Sequence, residues 1–247
     1  MITIKKNIKI DLDVPIFTCD VDAVGSHLET HDMLKMLNVY GFLCIIGKPG
    51  SGKTSLGISF LTQKKPKIFK KTHHHLYLVM PTNSLNSLKN NPFKVLPKEN
   101  IYNELTNDTI LDIAERIDAN SKNGEKTILF MDDVTADLKS SRLITDTMKK
   151  LIFNRRHLKL NIIICAQVYN NMVLDIRKII TNLILFKPSK KEFENVFEEL
   201  MENKKEIMLD IMKLAYNDDP HNYLFINVPS QRMFINSDEI IINEDEI

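Results

Sequence analysis

One eight-residue stretch constrains this chain more than any other. Gly47, Lys48, Pro49, Gly50, Ser51, Gly52, Lys53 and Thr54 form a complete G-x-x-x-x-G-K-[ST] match, directly after the apolar run 42–46 and directly before a helix-capable segment, 55–63, that opens on Ser55. Strand, glycine-rich turn and helix in that order make a loop whose successive backbone N–H groups, together with the helix N-terminus, wrap a polyphosphate. In such a loop Lys53 neutralises the β and γ oxygens, and the Thr54 hydroxyl binds Mg²⁺. A chance match somewhere in a chain of this composition has a probability of roughly two in a thousand. Residues 47–55 are therefore expected to hold a nucleoside triphosphate.

The rest of the chain supplies a sheet for that loop. Short apolar runs recur at 42–46, 76–80, 127–131, 160–165 and 183–186 with helix-period segments between them, the alternation that builds an α/β fold with a parallel sheet and crossover helices. The runs are apolar on both faces, as buried strands are. Ile110, Ile113, Ala114 and Ile117 fall at i, i+3, i+4, i+7; Leu143, Ile144, Met148, Leu151 and Ile152 mark a second amphipathic helix. Ser189 and Glu192 have capping-box spacing ahead of Phe193, Val196, Phe197, Leu200 and Met201, which predicts a helix start. Beyond it, 223–227 and 232–236 are strand-like runs joined by 228–231, a hairpin or a pair of edge strands. With no internal repeat and no Gly/Pro/Ser-rich linker, one ATPase domain over 1–247 is expected: an N-terminal strand and helix region at 1–40, a nucleotide-binding core at 41–188, and C-terminal helices with a β-rich tail at 189–247.

A nucleotide site needs a second anchor for its metal. The apolar run 127–131 ends in Asp132 and Asp133, about 80 residues past the loop; Asp132 fits the Mg²⁺-side acid, and Asp133 is placed to polarise the attacking water. Gln167 stands just past the end of run 160–165. If that strand lies between the loop strand and the acid strand, Gln167 points at the γ-phosphate and senses hydrolysis or holds the water. Arg155 and Arg156 precede the same strand in a chain with six arginines in all, and a guanidinium fork suits the charge of a phosphoryl transition state. A solvated helix end and a DNA contact are the competing readings of that pair, and Arg177 is the reserve.

Composition limits the partners. With 33 basic and 32 acidic side chains the formal net charge is +1, so any nucleic-acid contact must be local. No stretch approaches the roughly 18 apolar residues of a spanning helix, and the first residues lack the apolar core of a secretory signal. Membrane insertion is not expected. Cys19, Cys44 and Cys165 form no C-x-x-C pair, which argues for a reducing compartment and against a cysteine zinc site. Lys64, Lys65, Lys67, Lys70 and Lys71 form a basic cluster fit for a DNA backbone or for a solvated loop, and His73, His74 and His75 lack partners at ligand spacing. A calcium-loop-like start at Asp20 fails, because Val24 replaces a ligand and His31 stands where the closing Glu belongs. There is no N-K-x-D base-reading motif, no arginine-rich lid and no L-S-G-G-Q.

Taken in order, the loop 47–54, the strand with Asp132 and Asp133, the segment 154–157 with its two arginines, the strand ending at Gln167, Asp175 to Arg177 with Asn182, the strand 184–186 and the tail 222–227 resemble the poxvirus-type genome-packaging ATPases. These occur in large nucleocytoplasmic DNA viruses and virophages and belong to the FtsK/HerA superfamily. The resemblance covers roughly residues 40–240. It departs in two places: Asp133 stands where the wider superfamily commonly has Glu, and Leu174-Asp175 where Leu-Pro is usual. It implies a RecA-like P-loop NTPase that uses ATP and Mg²⁺ and assembles as a homo-oligomeric ring, a pentamer or hexamer, around double-stranded DNA. It further implies capsid or portal-vertex partners and a place in the host cytoplasm at the viral factory or with the virion. The implied roles are Lys53 on the phosphates, Thr54 and Asp132 on the metal, Asp133 on the water, Gln167 as sensor, and Arg155 or Arg156 as a finger in trans. A ring helicase, a segregation-type translocase and a nucleotide-dependent switch without motor activity are the alternatives.

Overall fold

The computed structural model describes residues 2–5, 9–13, 25–28, 33, 36–37, 40–64, 68–69, 71–89, 91–201, 207–217 and 219–242. In chain order the elements are β1 (Ile2–Lys5), β2 (Lys9–Asp13), β3 (Gly25–Leu28), β4 (Phe42–Ile46), α1 (Lys53–Thr62), β5 (His75–Val79), α2 (Thr82–Ser87), β6 (Ile101–Tyr102), α3 (Asn107–Lys122), β7 (Thr127–Asp132), α4 (Arg142–Asn154), β8 (Leu160–Ala166), α5 (Leu174–Arg177), β9 (Asn182–Phe186), α6 (Lys190–Leu200), α7 (Met208–Ala215), β10 (Tyr223–Asn227), β11 (Arg232–Ile235) and β12 (Asp238–Ile242). Ten strands form one sheet in the order β1-β12-β11-β10-β9-β4-β8-β7-β5-β6, while β2 and β3 pair separately.

From β9 to β6 the sheet is parallel. Alternate residues of its strands feed opposite layers. Leu43 and Ile45 of β4 pack with Leu56, Ile58 and Phe60 of α1 on one face. Phe42, Cys44 and Ile46 pack on the other with Ile110, Ile113 and Ile117 of α3 and with Ile144, Met148 and Ile152 of α4. Coverage of both faces is why these strands read as unbroken apolar runs. The parallel α/β architecture expected from the sequence is the one observed, and β8 does lie between β4 and β7.

The tail continues this sheet. β10 pairs antiparallel with β9 and forms a hairpin with β11, so β10 is an interior strand, buried along its length. Asn236 takes a left-handed φ of 53°, which ends β11 and turns the chain into β12. β12 then pairs with β1, near the opposite end of the chain. At α6 the Ser189 hydroxyl accepts from the Glu192 N–H at 3.3 Å, the expected cap. No helix among the described residues is long and apolar enough to cross a membrane.

Candidate functional site

In a parallel sheet all carboxyl ends open on one edge, and here that edge carries the loop 47–54. The Gly47 N–H donates to the Ala166 carbonyl at 3.0 Å, so the loop leaves β4 beside the end of β8. Gly50 and Gly52 have φ of 80° and 91°, values at which a Cβ is strained. A Cβ at Gly47 would run into the Ser51 hydroxyl and reach Phe186 at 3.0 Å, so glycine is required there for closeness alone. The Ser51 N–H donates to the Lys48 carbonyl at 3.1 Å and tightens the turn. Gly52 caps α1, its carbonyl accepting from Leu56 N–H at 2.9 Å. The N–H groups of the first turn have no intrahelical acceptor and, with the positive helix end, suit an anion. Lys48, Pro49 and Gly50 are exposed at the rim, and Ser55 is buried under the helix.

The Thr54 hydroxyl lies 3.1 Å from both carboxylate oxygens of Asp132, 78 residues on. Hard oxygen donors at the end of a phosphate-binding loop are the set that Mg²⁺ selects, so the residues present fit that ion. Burial pushes the Asp132 carboxyl up to about 6; Lys53 and the Thr54 hydroxyl oppose the rise, and Asp133 adds to it. A carboxylate this hard to ionise alone gains from a cation beside it.

Asp133 is exposed and has a left-handed φ of 58°. Its N–H donates to the Cys165 carbonyl at 3.1 Å, and its Oδ1 accepts from Gln167 Nε2 at 2.9 Å. Asp is among the non-glycine residues enriched in that backbone region, a physical reason for the short acid here. Two residues beyond Gln167, Tyr169 is held to α6 from two sides. The Tyr169 N–H donates to the buried carboxylate of Glu192, and the Tyr169 hydroxyl donates to Glu199 Oε2 at 2.8 Å. Sequence reasoning missed this support, since nothing in the spacing of Tyr169 and α6 announces it.

The arginine pair lies elsewhere. α4 returns from the carboxyl edge, and Arg155 caps its end; the Arg155 carbonyl accepts from the N–H of Leu160, the first residue of β8. β8 is seven residues long, so the pair sits about 20 Å from the loop of its own chain, at the other edge of the sheet. Arg155 Nη1 donates to the Ile152 carbonyl at 2.9 Å, and its buried Nε has no hydrogen-bond partner among the described residues. Burial, then the charge of Arg156, holds the Arg155 guanidinium below its usual pKa. Arg156 is exposed. Arg177 is engaged inside the fold: it pairs with Glu199 at 2.9 Å, donates to Asn170 at 3.1 Å and lies over the Tyr169 ring at 4.9 Å.

Of the weaker sequence features, Lys65, Lys67 and Lys70 lie outside the described residues, as do Cys19, Asp20, Asp22, Val24 and His31. Each of the three histidines has a local partner: His73 Nδ1 donates to Phe69 O at 3.0 Å, His74 Nδ1 accepts from Lys126 N–H at 2.9 Å, and His75 Nε2 donates to Glu125 at 2.8 Å. No group of three or more His, Cys, Asp or Glu placed to hold a metal exists among the described residues.

Comparison with known proteins bears on the family and the fold. The family model described as Poxvirus A32 protein matches residues 29–245. No curated protein matches the chain. Among solved structures, the DNA-packaging ATPase B204 from Sulfolobus Turreted Icosahedral Virus is similar with a TM-score of 0.60 at 15% identity, over 80% of this chain and 97% of that one. The genome packaging NTPase B204 from Sulfolobus turreted icosahedral virus 2, in complex with ATP-gammaS, gives a TM-score of 0.59 at 14% identity over 79% and 96%. Thermomonospora curvata EccC (ATPases 2 and 3) gives 0.52 at 13% identity over 94% of this chain and 40% of that one.

Proposed function

The chain belongs to the poxvirus A32 protein family and is a genome-packaging ATPase, and from that premise we propose that it acts as a homo-oligomeric ring that drives double-stranded DNA into a capsid. The observation that carries this reading is the convergence at one sheet edge of the phosphate loop, the Thr54–Asp132 pair and the Asp133–Gln167 pair, drawn from the ends of the parallel strands β4, β7 and β8. Lys53 neutralises the β and γ oxygens, and the loop N–H groups fix the polyphosphate in line with the acid strand. Thr54 and Asp132 hold Mg²⁺, which when bound neutralises charge on the phosphate oxygens. The Asp133 carboxylate accepts a proton from the attacking water, and Gln167 keeps that carboxylate turned toward the γ position. When the γ-phosphate leaves, Gln167 senses the change through its bond to Asp133.

Arg155 and Arg156, too far from their own pocket, serve a neighbour's pocket across a subunit boundary. A ring of five or six chains, capsid or portal-vertex partners, a cytoplasmic viral factory and a single ATPase domain over 1–247 complete the proposal. The test is ATP turnover with and without long double-stranded DNA. Stimulation by duplex DNA is expected; DNA that binds and leaves turnover unchanged, or that is unwound into single strands, overturns the reading in favour of a switch or a helicase.

A further inference from the structure

The antiparallel tail reaches the phosphate loop. β10 starts opposite the end of β9, at the edge where the loop lies. Phe186, which a Cβ on Gly47 would reach at 3.0 Å, meets the Tyr223 ring edge-on at 5.6 Å. Two residues before Tyr223, His221 Nδ1 donates to the Ser51 carbonyl at 3.3 Å, across 170 residues of sequence. The turn bearing that ring is itself fastened. The Asp219 carboxylate accepts from His221 N–H at 2.7 Å and the Asp219 carbonyl from Asn222 N–H at 3.1 Å. Asn236 bridges onward, donating to Asn222 Oδ1 at 2.8 Å and accepting from Tyr223 N–H at 3.1 Å.

A trans peptide points its carbonyl and its N–H in opposite directions. Holding the Ser51 carbonyl toward His221 therefore turns the Gly52 N–H away from His221. Gly52 has no side chain to fix its φ of 91°, and the buried Ser51 hydroxyl makes no hydrogen bond among the described residues. The carbonyl is thus the handle by which this peptide plane is set. We propose that His221 is a positioning residue for ATP binding: its ring N–H locks the Ser51–Gly52 peptide so that the Gly52 N–H faces the phosphates. The inference rests on the reading of residues 47–54 as the phosphate loop.

The test compares wild type with His221→Ala, His221→Asn and His221→Leu in the full chain, by binding of a fluorescent ATP analogue, steady-state kinetics and thermal unfolding. The side-chain nitrogen of Asn sits where Nδ1 of His does, so Asn keeps the donor. Loss of one hydrogen bond from a preorganised loop predicts KM and analogue Kd raised on the order of five-fold in Ala, kcat changed by less than about two-fold, and Asn close to wild type. Should removal of the ring unsettle the turn, the Asn and Leu pair, of near-equal bulk, isolates the donor. Unchanged ATP affinity in Ala and Leu, or an Asn protein as weak as Leu at equal Tm, overturns the proposal. A Lys53→Ala protein run in parallel is expected to lose turnover. Wild-type affinity and turnover in that control would instead overturn the phosphate-loop reading on which the inference stands.

Discussion

Asp132 is the residue whose environment and role conflict most. Burial raises its carboxyl to about 6, against an ordinary 3.8. A folded-state pKa above the unfolded one is a stabilising influence that is complete below pH 4 and is lost as the pH climbs through 6. At neutral pH the protein without nucleotide therefore carries a strained carboxylate, which Lys53 and Thr54 only partly relieve. Asp132→Asn should raise stability at pH 7.5 by on the order of 1–2 kcal/mol, and the gain should shrink to a fraction of that at pH 4.5. Thermal unfolding at the two pH values checks this; a destabilised Asn protein at pH 7.5 would mean that the carboxylate is favourably held without a cation. Asp132, Asp133 and Gln167 were legible in the sequence because each ends an apolar run. His221 and the Tyr169–Glu192 bond were not, since contacts across 170 and 23 residues, one between two loops and one between a turn and a helix start, leave no periodic trace.

At the level of elements, α1 must lie close to the sheet for Thr54 to meet Asp132, and Gly57 permits the approach. A Cβ at Gly57 would stand 2.9 Å from Phe130 Cε2 and 3.2 Å from Cys165 Sγ, both residues fully buried. Ala gains roughly 1 kcal/mol of helix propensity over Gly, while overpacking costs about 1–3 kcal/mol. Because Phe130 and Cys165 are both fully buried, overpacking should win. Gly57→Ala is expected to lose about 1 kcal/mol of stability and to raise KM for ATP as α1 lifts; a higher Tm with unchanged KM would show that the layer has slack. The parallel strands could be read from composition because both faces are buried and their runs are uniformly apolar. β12 could not: two of its five residues are charged, and its place depends on pairing with β1 from the other end of the chain. The reading of 223–227 left an edge strand open, because an apolar run does not disclose how many strands follow it.

For the whole molecule, the decisive fact is that the arginine pair and the loop 47–54 occupy opposite edges of one sheet. A chain alone cannot bring them together, whereas neighbours in a ring can, edge to edge. An Arg155→Ala/Arg156→Ala protein and a Lys53→Ala protein, each inactive alone, should recover part of the activity when mixed, because some boundaries then join an intact loop to an intact pair. Mixed rings that form and stay dead would return these arginines to a DNA-contact or surface role. A net charge of +1 also confines DNA affinity to a local set of side chains, which a closed ring can present several times over. Movement along duplex DNA is the central claim, and displacement of a labelled third strand from a long duplex measures it most directly. With ATP and Mg²⁺ the wild-type protein should release the third strand while the duplex stays intact, and the Asp133→Asn protein, expected to bind ATP without turnover, should release none. Steady ATP hydrolysis on the duplex with the third strand left in place would contradict the account.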